Sequence, residues 1–417
     1  MKNSDIYETI DQDFNHGSGG NTNFEALVNI SSYKMSPEEI RKLQDRYRII
    51  KEFQQKTLEI FCASLKGEAD AKIHRMVLGD IPAHLGLKYH ANLSDRQHTT
   101  PVFFRTDEPV LGKLSEIQCP GSGWCIHQQL WTLYRAYPDI FGLPENFSVS
   151  LAEKFVQSVR NYIAKDPIIH HLTENASRAH GMRYFIQKTR NYGAKYFSYD
   201  RNVAPDDCNF FRAHDFYNIL SQNFYSERMN QAETGDGWFD LPPSALFDGK
   251  IIMALPFLKE TRNFFSDEVR SIFPYTTIID SDGIILEDGT KISLENFCQL
   301  PSRKRDYYIK YAGTDVSINW GSKSVFLTSS GSGVQVRALM DRIVKDRTAG
   351  RHWILQASLR TKESVSFFER EGSVAPLDGY GKWSGFYGPE GLMGVLVLHK
   401  NFNKVHGGKN TVMSIVY

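Results

Sequence analysis

The chain has 417 residues, 41% hydrophobic and 23% charged, which allows a sizeable buried core but is too long for one simple core. Forty-nine basic residues against 48 acidic ones leave a formal net charge of +1, so the overall balance suggests neither a nucleic-acid nor a membrane-surface partner, although Ser302 to Arg305 form a local basic patch. With no basic-then-apolar leader, no apolar run longer than stretches such as Ile251 to Phe257, and five scattered cysteines, the expectation is a cytoplasmic protein in a reducing compartment.

Residues 1–25 are polar and Gly-rich and read as a lead-in. Ser36-Pro-Glu-Glu39 supplies a cap, a proline and early acidic residues, so a helix is predicted from there to about Ser64. Ile40, Leu43, Tyr47, Ile50, Phe53 and Leu58 recur along it at helical spacing. A second helix is predicted near Ala69 to Leu78, completing a helical N-terminal region over 26–99. Val102 to Asp107 and Lys113 to Gln118 then read as a hairpin, ended by Cys119-Pro-Gly-Ser-Gly123. Between Leu151 and Tyr225 helices and strands alternate, which points to an α/β sheet; Arg183 to Gly193 reads as a helix followed by a strand at Lys195 to Tyr199. Leu246 to Phe257 and Glu260 to Phe273 look helical. Strands are predicted at Thr277–Asp280, Gly283–Leu286, Tyr307–Lys310, Ser324–Leu327, Trp353–Gln356 and Met393–Leu398, with a helix over Val334 to Arg347. The divisions expected are 26–99, 100–245 and 246–417, in a mixed α/β (α+β) fold.

The strongest chemistry lies between Tyr307 and Gln356. A strand ends in Lys310; a polar loop with Gly321, Ser322 and Lys323 follows; then come a strand, a helix and an apolar strand ending in Gln356. A lysine fixed by a strand is a point charge for phosphates, and a Gly/Ser loop can offer its backbone N–H groups to them. No Walker motif is present, and Gly331-Ser-Gly333 lacks the third glycine of a dinucleotide fingerprint.

This order resembles an ATP-grasp core. The resemblance implies ATP as cofactor, phosphate contacts from Lys310 and the Gly321–Lys323 loop, and a hinge at Gln356. A second ATP lysine, expected earlier in the chain, falls on Lys250 with Lys259 as competitor. Metal carboxylates expected after the hinge are missing there: Glu363, Glu369, Glu371, Asp378 and Glu390 stand in no Glu-x-Asn pattern. Upstream, Arg105-x-Asp107 and Glu116-x-Gln118 lie on the predicted hairpin, where residues two apart share a face and could surround one Mg2+ with oxygen donors. Placed ahead of the lysines, this pattern resembles the circularly permuted ATP-grasp ligases of the glutathionylspermidine-synthase-like kind, with Gln118 where asparagine is usual. The resemblance implies a pre-ATP-grasp α/β domain, Mg2+ on Asp107, Glu116 and Gln118, and transition-state arginines at Arg105 and Arg360. It further implies ATP-dependent amide formation between a small-molecule carboxylate and an amine through an acylphosphate, with a homodimer left open. A phosphotransferase on the same fold and a non-catalytic nucleotide-binding protein are the alternatives.

Cys119, Cys125 and His127 fall short of a structural zinc site, which needs a further ligand and closer cysteine spacing. The loop between the cysteines reads instead as one that closes on the acceptor substrate. His170, His171, His180 and His214 show no ligand spacing, and Lys400 to Gly408 reads as a polar loop between strands.

Overall fold

The computed structural model describes residues 8, 26–79, 100–119, 123–144, 149–172, 184–198, 208–213, 237–240, 245–247, 249–313, 318, 324–369, 373–405 and 410–416. Strand β1 (Ala26–Val28) precedes helix α1 (Pro37–Leu65), which begins where its cap predicts. The Ser36 hydroxyl accepts from the Glu39 amide while the Glu39 carboxylate accepts from the Ser36 amide, a reciprocal capping box. Helix α2 (Ala71–Leu78) follows, capped by Asp70. Strands β2 (Phe104–Asp107) and β3 (Glu116–Gln118) form the expected hairpin.

Helices α3 (Trp124–Ala136), α4 (Pro138–Phe141) and α5 (Leu151–Ile163) lead into β4 (Ile168–Leu172), β5 (Lys195–Ser198), β6 (Phe210–Ala213) and β7 (Trp238–Phe239). These four strands form a parallel sheet in the order β5-β4-β6-β7, the arrangement that the helix-strand alternation predicts. A helix over 184–190 is closed at Gly193, whose φ of +90° suits glycine.

The segments around residues 246–273 differ from expectation. They fold as 3-10 turns at Ala245–Phe247, Lys250–Ala254 and Arg262–Phe264, with one short helix, α6 (Asp267–Ile272). Gly249 and Pro256 bracket the apolar run and keep it short, and burial of Ile251, Ile252 and Met253 holds the tighter turn.

Beyond it lie β8 (Thr276–Ile278), the short pair β9 (Ile284–Ile285) and β10 (Lys291–Ile292), α7 (Leu294–Gln299), β11 (Tyr307–Tyr311), β12 (Val325–Leu327), α8 (Gly333–Thr348) and β13 (Trp353–Ala357). An antiparallel sheet runs β12-β11-β13-β8. Ile309, Trp353 and Leu355 pack with Val336, Met340 and Ile343 of α8 to form its core. Arg305, expected in a surface patch, is buried and donates to the carbonyls of Leu300, Thr328 and Gly331, tying the entry of β11 to the turn before α8.

The chain closes with β14 (Thr361–Phe368), β15 (Val374–Gly388), β16 (Gly391–Lys400) and β17 (Thr411–Ile415). The largest sheet runs β1-β17-β16-β15-β2-β3, with β14 also on β15. The early hairpin is therefore completed by the last strands of the chain, and β1 extends the same sheet. Among the described residues no helix is long and apolar enough to cross a membrane.

Candidate active site

Three parts of the fold converge on the β2–β3 hairpin. Within it, Asp107 pairs in register with Glu116, and Arg105 with Gln118. Directly opposite residues of an antiparallel pair share a face, so these four side chains rise together as the Arg-x-Asp and Glu-x-Gln spacing predicts. Strand β15 flanks the other side of β2, with Phe386 opposite Arg105 and Trp383 bridged to Glu108. That register puts Ser384 opposite Asp107 and Lys382 diagonal to it.

Asp107 is buried and receives four donors. Arg105 Nε and Nη2 each donate at 3.0 Å, Lys382 Nζ at 2.7 Å and Ser384 Oγ at 2.8 Å, two to each carboxylate oxygen. Burial pushes its carboxyl up, but Arg105 and Lys382 more than offset this and hold it at about 2. Glu116 accepts from Lys250 Nζ at 3.1 Å, and Lys250 stands at the start of its 3-10 turn behind Gly249. Burial raises the Glu116 carboxyl, yet the Lys250, Lys310 and Arg105 charges leave it below the ordinary value.

Lys310 reaches this hairpin from the other sheet. Its ammonium donates to the Ser115 carbonyl at 3.0 Å and to Gln356 Oε1 at 2.6 Å. Gln356, one strand over on β13, is oriented in turn by donating to Thr276 Oγ1 at 3.1 Å. Burial lowers Lys310 to about 8, partly countered by Glu116 and reinforced by the nearby Lys250 and Lys382 ammonium groups.

Of the two candidate lysines, Lys250 is thus in the cluster and Lys259 is exposed outside it. Arg360 lies beyond the cluster: its guanidinium meets Asp306 at 2.5 Å, and its charge acts on Tyr308. Gly321, Ser322 and Lys323 fall outside the described residues. Two site residues escaped the sequence reading, Lys382 and Ser384 of β15. Their alternation around Trp383 is strand-like, but Pro376 and the glycines at 379, 381, 385 and 388 disguise the strand. Those glycines answer crowding: a Cβ on Gly379 would lie 2.3 Å from the Lys400 carbonyl oxygen.

Neither Cys119 nor Cys125 is in a disulfide; Gln54 Nε2 donates to Cys119 Sγ, and burial pushes Cys125 up to about 11. His127 is buried and lowered to about 3 by desolvation, with no hydrogen-bond partner for either ring nitrogen among the described residues, which fits a neutral core histidine. Gly123, which starts α3, has φ +92°, and a Cβ there would approach Arg105 Nη1 to 3.2 Å.

Among the described residues no three His, Cys, Asp or Glu side chains converge as a self-sufficient metal site. Magnesium does not require one, since it is held by one or two carboxylates together with waters and substrate phosphates. Glu116, partly exposed beside Lys250, and Gln118 on the same strand face fit that requirement.

No family model matches the chain, and no curated protein matches it in sequence. Among solved structures the chain is similar to a glutathione synthetase like-effector from Globodera pallida in its apoform. The two are 11% identical with a TM-score of 0.52, over 100% of this chain and 96% of that one. The likeness is one of fold. A Methylobacillus flagellatus KT protein, provisionally named a gamma-glutamylcysteine synthetase, aligns over 79% of this chain and 81% of its own; at 12% identity and a TM-score of 0.38 it supports no argument.

Proposed function

We propose that this chain is an ATP- and Mg2+-dependent carboxylate–amine ligase of circularly permuted ATP-grasp architecture. The observation that carries this reading is the meeting of Lys250, Lys310, Arg105 and Lys382 around Asp107 and Glu116, at a seam between two sheets far apart in sequence. A surface hairpin with ordinary charges would not bury so many ionised groups together. The fold shared with a glutathione synthetase like-effector supports a synthetase-type reaction.

In this mechanism Lys310 and Lys250 leave Gln356 and Glu116 to hold the triphosphate. Glu116 and Gln118 would hold Mg2+, which would supply charge neutralisation to the triphosphate. A substrate carboxylate attacks the γ-phosphorus, the bond to ADP breaks, and an acylphosphate forms. Arg105, already oriented by Asp107, stabilises charge on the transferred group. The amine then attacks the acyl carbon, phosphate leaves, and the amine proton passes to solvent or a neighbouring base.

The test measures ADP and phosphate release with panels of γ-glutamyl peptides, other carboxylic acids, amino acids and polyamines. Release that needs both an acid and an amine, and that disappears in Glu116→Ala, is expected. Steady ADP formation with a phosphorylated product and no amine dependence would move the protein to the phosphotransferases. Absence of nucleotide binding would sink the proposal.

A further inference from the structure

Asp107 is not placed like an open metal ligand. A carboxylate offers about four lone-pair directions. In Asp107 all four are met from within the protein: Arg105 Nε and Ser384 Oγ on Oδ1, and Arg105 Nη2 and Lys382 Nζ on Oδ2. The donors are set by strand register, since Arg105 and Asp107 share a face of β2 and β15 lies immediately alongside. Both Asp107 and Lys382 are buried, so an ammonium at 2.7 Å is a strong local counter-charge rather than a solvent-screened surface pair. Glu116 differs: its side chain is 25% exposed where that of Asp107 is 4%, and it neighbours the Gln118 amide along the same strand face.

The charge balance points the same way. Among the described residues, Arg105, Lys250, Lys310 and Lys382 face Asp107 and Glu116, four cations against two carboxylates. The surplus of two, together with a single divalent cation, matches a triphosphate carrying about four negative charges. A second divalent cation would overshoot and would have to displace Lys382.

We infer that Lys382 takes the place of a second divalent cation at Asp107, so that the site binds its nucleotide with one divalent cation, held by Glu116 and Gln118. Ser384 acts as a positioning residue that fixes the Asp107 carboxylate opposite it. This inference rests on the nucleotide-binding reading.

The experiment is equilibrium dialysis of the full chain against Mn2+ and a non-hydrolysable ATP analogue, counting retained Mn2+ per retained nucleotide. One Mn2+ per nucleotide is expected for the native protein. In Lys382→Met, which uncovers an oxygen of Asp107, the ratio should rise to two, while Lys382→Arg should keep it at one. Two Mn2+ per nucleotide in the native protein overturns the inference and leaves the nucleotide site standing. A ratio of one in a folded Lys382→Met protein also overturns it. If Lys382→Met does not fold, the native ratio decides. No retained nucleotide overturns both the inference and the function on which it rests.

Discussion

At the scale of single residues, Lys310 and Asp107 make opposite predictions. Lys310 has its ammonium held at about 8 instead of the ordinary 10.5, with burial as the main cause. The folded chain therefore binds fewer protons than the unfolded one between those values, and on that account the free protein gains stability as pH rises through the window. Phosphate binding behaves inversely, because it needs the charged lysine. Affinity for an ATP analogue should fall as pH rises through about 8, and binding near that pH should take up a proton, seen as a buffer-dependent heat in calorimetry. Lys310→Met should weaken binding by roughly 10- to 100-fold, the equivalent of about 1.5–3 kcal/mol for a hydrogen bond to a charged group. Unchanged affinity would remove Lys310 from the phosphate site.

Asp107 carries the stability side of the same cluster. Its folded value of about 2 lies below the ordinary 3.8, so its contribution is complete above 3.8 and is lost as pH falls toward 2. Asp107→Asn leaves Arg105 and Lys382 buried without their counter-charge, and a loss of about 3–5 kcal/mol in urea unfolding is expected. A near-neutral result would mean that the pair is open to water. Both residues were legible as functional candidates, Lys310 from its strand and following loop, Asp107 from the Arg-x-Asp spacing. Lys382 and Ser384 were not, because a side chain's partner across a sheet is set by a register that no local pattern states.

At the scale of elements, two start residues separate folding from function. Ser36 caps α1 on an exposed surface and pairs with Glu39 rather than with the cluster's charged groups; Ser36→Ala should cost about 1 kcal/mol in unfolding and leave nucleotide affinity alone. Gly123→Ala at the start of α3 should cost about 1–2 kcal/mol for its left-handed backbone and, by crowding Arg105, should also weaken nucleotide binding. Equal binding by both variants would detach Arg105 from the site. The elements with strong local signals emerged as expected: α1 from its cap and apolar spacing, β11 and β13 from short apolar runs. Lys250–Ala254 did not, since Gly249 and Pro256 limit a run that otherwise reads as helical. Nor did β15, whose glycines are there for close packing rather than for a turn.

At the scale of the whole molecule, the cluster bridges two sheets. Lys310 reaches from β11 to the Ser115 carbonyl, and Lys250 reaches from its 3-10 turn to Glu116. A nucleotide at this seam should protect both β2–β3 and β11–β13 from hydrogen exchange. At a ligand concentration a hundred times Kd it should stabilise the fold by about 2.7 kcal/mol. Protection confined to one sheet would place the ligand elsewhere.

Sequence alone determined the parts that depend on neighbours along the chain: the α/β alternation that becomes β4 to β7, the hairpin carrying Asp107 and Glu116, and the strand that ends near Lys310. Tertiary structure alone decided that this hairpin joins the last strands of the chain. It also decided that Lys250 rather than Lys259 meets Glu116, that Arg360 turns to Asp306, and that Lys382 and Ser384 surround Asp107. The physical reason is one of range. Caps, turns and periodicity act over a few residues, whereas a buried carboxylate must be neutralised by whatever charge the folded sheet brings alongside it.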